Sequence, residues 1–217
     1  MNLTDPILVL GAGESGVGSA LLAKSVGANA FVSDAGEGKG PGVAELQSAG
    51  IAHEVGGHKS DLWQDVALVV KSPGIPDNAP VVQECRSRGW EVCSEIEYAS
   101  RVHQQIGHSN PVIAVTGANG KTTTTSMIDH MLRHEGWDTD CVGNIGTSWA
   151  RCIAERAARN EGEAQATIIE VSSFQLDGTS TFRPDVAVLL NITPDHLDRY
   201  GYEMANYAAS KWRITAS

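Results

Sequence analysis

Two glycine-rich segments, each set between an apolar run and a helix-forming stretch, carry the chemistry this sequence can do. The more specific is Thr116-Gly117-Ala118-Asn119-Gly120-Lys121-Thr122-Thr123, which follows the run Val112 to Val115. Such a loop surrounds a phosphate with backbone N–H groups, while Lys121 offers charge to the β- and γ-phosphates and Thr122 a hydroxyl to Mg²⁺. Gly117, Asn119, Gly120, Lys121, Thr122 and Thr123 are therefore the expected ATP-binding residues. The general pattern places four residues between its glycines. Here there are only Ala118 and Asn119, so the loop is a shortened variant.

The other segment, Gly11-Ala12-Gly13-Glu14-Ser15-Gly16, follows Ile7 to Leu10. Gly11 permits a tight turn, Gly13 lets the backbone approach a phosphate, and Gly16 allows the helix to sit close to the strand. Asp34 lies 23 residues after Gly11, where a carboxylate can bond a ribose or a base. Taken alone, this half reads as a dinucleotide site of the NAD type. Lys71-Ser72-Pro73-Gly74-Ile75-Pro76 follows another apolar run and is expected at the same sheet edge.

Three further loops are expected to converge on the second glycine loop, because loops at the carboxyl ends of parallel strands share one crevice. They are Gly143 to Gly146, Glu170 to Gln175, and Asn191 to Asp198. Glu170 ends an apolar run in the manner of a Walker-B acid, and Asp195 and His196 follow another. Carboxylate and imidazole near a triphosphate imply Mg²⁺ coordination.

The elements that position these loops are short continuous apolar runs: Ile7 to Leu10, Ala30 to Val32, Leu68 to Val70, Val112 to Val115, Ala166 to Val171 and Val186 to Leu190. Continuous rather than alternating apolar character suits strands covered on both faces, so the class is α/β with mainly parallel sheets. Gly107-His108-Ser109-Asn110-Pro111 is a polar, turn-forming stretch. It divides a Rossmann-like unit, residues 1–108, from a P-loop-type unit, residues 109–217.

With 26 acidic against 16 basic residues and a net charge of −10, the chain opposes the phosphate neutralisation that nucleic-acid binding requires. No apolar run approaches the roughly 18 residues of a membrane span. The opening MNLTDPILVLG lacks a basic stretch and a cleavage site, so a cytoplasmic location is expected. The four cysteines show no metal or disulfide spacing. His130 and His134 share a helix face without the glutamate of a zinc motif and read as helix surface, and the five dispersed tryptophans read as packing residues.

At these residues the sequence resembles the Mur ligases, ATP-dependent amide ligases of peptidoglycan synthesis. TGANGKTTTT matches their short P-loop. EVSSFQL at Glu170 to Leu176 and LNITPDHLDRY at Leu190 to Tyr200 point to the D-glutamate-adding branch, and GNIG at Gly143 and SPGIP at Ser72 fit the same pattern. The resemblance implies that the first glycine loop holds the uridine nucleotide of UDP-N-acetylmuramoyl-L-alanine rather than NAD, with Asp34 near the uracil. It assigns substrate contacts to Gly13, Glu14, Ser15, Gly16, Asp34, Ser72, Gly74, Asn144 and Ser172. ATP would convert the alanine carboxylate to an acyl phosphate, which the D-glutamate amine attacks. Lys121, His196 and Lys211 would be catalytic. Two Mg²⁺ ions would be held by Thr122, Glu170, His196 and Lys211, the last matching the family's carbamylated lysine.

Family members carry a third domain, whereas this chain stops at Ser217 inside an expected helix. It is therefore expected to be a fragment or a truncated reading frame, with the central sheet incomplete, apolar faces uncovered and no turnover by the isolated chain. Two alternatives remain at this point: an NAD-dependent oxidoreductase, resting on the first glycine loop, and a non-catalytic nucleotide-binding module. The oligomeric state is not legible.

Overall fold

The computed structural model describes residues 2–59, 61 and 63–215. Apolar runs too short for helices become two parallel sheets. The first contains β1 (Ile7–Leu10), β2 (Ala30–Asp34), β3 (Ala52–Val55), β4 (Leu68–Lys71) and β5 (Val92–Ser94), in the order β3-β2-β1-β4-β5. The second contains β6 (Val112–Thr116), β7 (Thr139–Gly143), β8 (Ala166–Glu170) and β9 (Val186–Leu189), in the order β7-β8-β6-β9. Every paired strand is parallel.

Helices form the crossovers: α1 (Glu14–Ser25), α2 (Pro41–Ser48), α3 (Pro80–Ser87), α4 (Glu95–Gln105), α5 (Lys121–His134), α6 (Trp149–Ala158), α7 (Ser173–Asp177) and α8 (Met204–Trp212). Proline at the first position of α2 and α3 sits where no N–H partner is needed. Ser94, Ser148 and Ser172 cap α4, α6 and α7 through their hydroxyls.

The expected α/β class with parallel sheets is what the chain adopts. The sequence reading anticipates six of these strands but not β3, β5 or β7, and all three lie at sheet edges. An edge strand has one neighbour and more solvent, so it need not be a continuous apolar run. β3 is AHEV and β7 TDCVG, each partly exposed, and β5 has three residues.

The two sheets do not stand apart. α1 packs on α6, and one apolar cluster runs from Val9, Leu22 and Val32 through Ile96 and Val102 to Ala114, Trp149, Ile169 and Phe182. Gly18 permits the close approach of the helices, because a Cβ there would meet Ser148 Oγ at 2.1 Å. Glu97 is a second fastener. Its carboxylate accepts hydrogen bonds from the N–H groups of Ser180 (2.9 Å), Thr181 (3.0 Å) and Phe182 (2.9 Å) and from Arg101 (2.7 Å). Burial disfavours its charge, but these donors outweigh that and hold its pKa at about 2.

The helix expected to run to Ser217 instead ends at Trp212 and tightens into a 3-10 turn over Arg213–Thr215; Ala216 and Ser217 lie outside the described residues. α5 has one fully buried residue, Thr125, while its Met127 and Met131, and Val186 of β9, are exposed. His130 and His134 are also exposed, as expected of a helix surface. Trp63 and Trp149 are core residues, but Trp137 and Trp212 are not. None of the described helices is long and apolar enough to cross a membrane.

Candidate functional site

In the first sheet the strand order reverses between β1 and β4, and a parallel sheet opens a crevice at such a point. The glycine loop leaves β1 there, and Ser72 to Gly74 leave β4 beside it. The two loops touch: a Cβ on Gly11 would lie 2.6 Å from Ser72 Oγ. Ser72 Oγ is buried without a hydrogen-bond partner among the described residues, and a ligand phosphate or hydroxyl is the kind of group that would satisfy it. Gly16 has no room for a side chain, since its Cβ would meet Gly11 O at 1.9 Å, whereas Gly13 faces open space.

Asp34 stands at the end of β2, but its oxygens are already engaged. One accepts from Ala12 N and the other from Gly36 N, each at 2.6 Å. The carboxylate thus holds the glycine loop in shape before any ligand arrives. Glu14 is also committed: Oε1 accepts from Ser148 N (2.9 Å) and Arg151 Nε (2.8 Å). The side chain therefore ties the loop to α6 rather than standing free for a ligand.

The second centre forms where β6, β8 and β9 end. Lys121 opens α5 and folds over the loop, donating to Gly117 O (2.9 Å) and Ala118 O (3.0 Å). Thr122 Oγ1 donates to Glu170 Oε2 at 2.7 Å, and Asn144 Nδ2 donates to Glu170 Oε1 at 3.0 Å. These three expected residues, from three separate segments, therefore meet at one carboxylate. Asn119 is clamped to the loop after β9, with Asn119 N donating to Asn191 Oδ1 at 3.0 Å and Asn191 Nδ2 returning a bond to Asn119 O.

A cavity of about 110 Å³ lies beside this cluster, lined by Lys121, Asn144, Ser172, Ser173, Phe174, Asp195, His196, Tyr207 and Lys211. Lys211 is buried on α8, and its Nζ donates to Gly117 O at 2.9 Å and lies 4.8 Å from the Tyr207 ring centre. Burial first, and then the positive charge of Lys121, pull its pKa down to about 8. His196 adopts a left-handed backbone conformation (φ 50°) and tilts against Phe174, 5.2 Å between ring centres. Ser172 is occupied as the cap of α7, paired reciprocally with Gln175.

The sequence reading brings Asn144, Glu170, Ser172, Asp195, His196 and Lys211 to this place, with Ser173 and Phe174 inside the expected loop Glu170 to Gln175, but gives no role to Phe174, Tyr207 or Arg199. The Arg199 guanidinium lies 4.5 Å over the Phe174 ring. An apolar wall between cationic groups has no spacing signal in a sequence. A larger cavity, about 620 Å³, opens at the opposite edge of the first sheet, where Ile7, Asn29, Phe31 and Trp63 line it. It lies away from both glycine loops.

The hydroxyl and carboxylate of Thr122 and Glu170 are hard oxygen donors of the kind Mg²⁺ takes, so the residues present fit that ion. Lys211 as an ammonium could not be a ligand; as a carbamate it would supply oxygen. Thr116 Oγ1, buried at the end of β6, has no partner among the described residues, which again leaves a polar group for a ligand to satisfy.

Comparison with known proteins gives a consistent result. Residues 5–94 match the Mur ligase MurD-like N-terminal domain, and residues 115–217 match the Mur ligase middle domain. The UDP-N-acetylmuramoylalanine--D-glutamate ligase of Cytophaga hutchinsonii is 50% identical over 212 residues, covering 98% of this chain and 45% of that protein. The enzyme of the same name from Bacteroides fragilis is 47% identical over 209 residues, 96% of this chain and 45% of its own length. The chain thus spans a little under half the length of these relatives. Among solved structures, MurC of Thermotoga maritima, a UDP-N-acetylmuramate-alanine ligase, superposes with a TM-score of 0.60 at 25% identity, covering 97% of this chain and 47% of that one. The UDP-N-acetylmuramate:L-alanyl-gamma-D-glutamyl-meso-diaminopimelate ligase of Neisseria meningitides shares the fold at 21% identity with a TM-score of 0.63, covering 99% of this chain and 69% of its own.

Proposed function

This chain belongs to the Mur ligase family, and from that premise we propose that it forms the uridine-nucleotide and ATP-binding portion of an enzyme that joins D-glutamate to UDP-N-acetylmuramoyl-L-alanine. The observation that carries the reading is the cavity where Lys121, Asn144, Ser172, His196 and Lys211 meet beside Thr122 and Glu170. The uridine diphosphate lies along the loop of Gly13, Glu14, Ser15 and Gly16, with Ser72 and Gly74 completing the cradle. Asp34 acts by fixing that loop near the base.

A carboxylate oxygen of the alanyl group attacks the γ-phosphorus of ATP; the new P–O bond forms as the bond to ADP breaks, leaving an acyl phosphate. The D-glutamate amine then attacks the acyl carbon, the C–N bond replaces the bond to phosphate, and the amine releases a proton. Loose phosphoryl transfer of this kind depends on positioning and charge neutralisation. Lys121 faces the β- and γ-phosphates, and the N–H groups of Gly117, Gly120 and Thr123 cradle them, while Asn119 holds the loop in shape through its bonds to Asn191. Thr122 and Glu170 would hold one Mg²⁺, and His196 with Lys211, once carbamylated, would hold the second. Mg²⁺ supplies neutralisation of the charge that develops on the phosphoryl oxygens.

Lys211 suits carbamylation because its depressed pKa leaves neutral amine near pH 8. The lone pair of the neutral amine bonds the CO₂ carbon, one C–O π pair moves onto oxygen, and the nitrogen then releases a proton to solvent, leaving the carbamate. The test is calorimetry of the chain with UDP and with ATP plus Mg²⁺. Lys121→Ala is expected to weaken ATP by at least about 10-fold, the loss of one charge-assisted contact, and to leave UDP unchanged. Normal ATP affinity in that variant would defeat the assignment.

A further inference from the structure

A second cluster with ligand chemistry sits at the seam between the two sheets, about a helix end rather than a strand edge. α4 terminates in a Schellman motif: Gly107, with φ 84°, donates to Gln104 O at 3.1 Å, and His108 N donates to His103 O at 3.1 Å. The two positions joined by the longer bond ordinarily carry an apolar contact. Here both are histidines, His103 and His108, with ring centres 5.1 Å apart and nearly perpendicular. Glu163, from the segment leading into β8, closes the third side. One potential ligand atom from each of the three lies within 4.8 Å of the other two.

The hydrogen bonds around the cluster leave an uncommitted lone pair on His103 and another on Glu163. Asn110 Nδ2 donates to Thr167 Oγ1 at 2.9 Å, which turns Asn110 Oδ1 toward His103 Nε2 at 2.7 Å. Nε2 must then carry the proton, and the lone pair is on Nδ1. A ring N–H donated to an outer oxygen is the arrangement that orients metal-bound histidines. Glu163 Oε2 accepts from Ser109 N (2.7 Å) and Asn110 N (3.1 Å), leaving Oε1 uncommitted in those bonds. Burial disfavours a charge on His103 and lowers its pKa, with Asn110 and His108 acting in opposite directions beside it.

The cavity enclosed by His103, His108, Asn110, Trp149 and Glu163 has a volume of about 10 Å³, room for a single atom. Arg156 also lines it, but that guanidinium is paired with Asp138 and Asp140, both at 2.9 Å. We propose that His103, His108 and Glu163 form a binding site for one divalent transition-metal ion of the zinc type, clipping the end of α4 to the entry of β8 across the seam between the two sheets. Two imidazoles and a carboxylate with a fourth position for water is a ligand set that zinc accepts. Bonds of about 2.0–2.2 Å require the three donors to close up. His108, on the half-buried turn after Gly107, can supply that movement.

The site is independent of the Mg²⁺ ligands, and the experiment separates them. Zinc is titrated into the chain by calorimetry and cobalt is followed by its visible d–d bands, with His108→Ala and Glu163→Gln as variants. His108 and Glu163 are only partly buried, and glutamine can keep the two backbone hydrogen bonds, so both variants are expected to fold; circular dichroism checks this. The proposal expects one zinc equivalent lost by at least about 10-fold in affinity in each variant, loss of a tetrahedral cobalt spectrum, and a zinc-dependent rise in melting temperature confined to the parent chain. Zinc binding and thermal shift unchanged in both folded variants, or no zinc equivalent in the parent, overturns it.

Discussion

Glu14 of the first glycine loop and Arg151 of α6 are joined at 2.8 Å across the seam between the two sheets. Arg151 also reaches Glu45 of α2, and Ser148 N adds a bond to the same Glu14 oxygen. The loop assigned to the uridine nucleotide is thus tied to the helix that follows Asn144, whose amide meets Glu170. A disturbance at either candidate nucleotide site has a short covalent and hydrogen-bonded route to the other.

Removing that tie has a measurable cost. Arg151→Ala is expected to destabilise the chain by about 1–2 kcal/mol, since the pairs are charge-assisted but their carboxylates are partly exposed. It is also expected to weaken UDP binding through the freed loop. Unfolding in urea and UDP calorimetry measure the two effects, and an unchanged midpoint would show that the bridge contributes nothing.

Asp34→Ala removes the acceptor for both Ala12 N and Gly36 N. UDP affinity is expected to fall by about 1–3 kcal/mol, the range for a hydrogen bond to a charged group, while ATP affinity stays constant. Loss of ATP affinity with UDP retained would exchange the two sites.

Lys211 sets a pH dependence in the alkaline range. Its pKa is about 8 folded against an ordinary 10.5, so between these values the unfolded chain binds more protons and stability rises with pH. The gain is up to about 3 kcal/mol. Lys211→Met is expected to raise the melting temperature at pH 7 and to flatten this rise, because no buried ammonium remains. Melting curves from pH 7 to 10.5 test the sign.

Glu97 acts at the opposite end of the scale. Its pKa is about 2 folded against an ordinary 4.5. Its contribution is therefore complete above pH 4.5 and lost as pH falls toward 2, amounting to about 3 kcal/mol. Glu97→Gln is expected to lower stability at pH 7 and to shallow the acid limb of the curve. An acid limb identical to that of the parent chain would assign the effect to other carboxylates.

From the sequence alone the six apolar strands, the two glycine loops and the order of the candidate site segments could be read, although β9, one of those strands, is exposed or half-buried along its length. Each is a local pattern: an apolar run, then glycines, then a helix start. It did not reveal β3, β5 or β7, whose edge positions relax the apolar requirement, nor that the two sheets share one core through α1 and α6. Asp34 was legible as a ligand by type and position, and Glu14 only through the family resemblance. Only the folded chain decided that Asp34 is spent on Ala12 and Gly36, and Glu14 on Arg151 and Ser148. Likewise Lys211 looks like an ordinary helix lysine until α8 packs it against Gly117 and Tyr207. The reason is range: backbone pattern is written within about ten residues, whereas the burial, charge and hydrogen-bond partners that fix a side chain's chemistry come from segments 20 to more than 130 residues away.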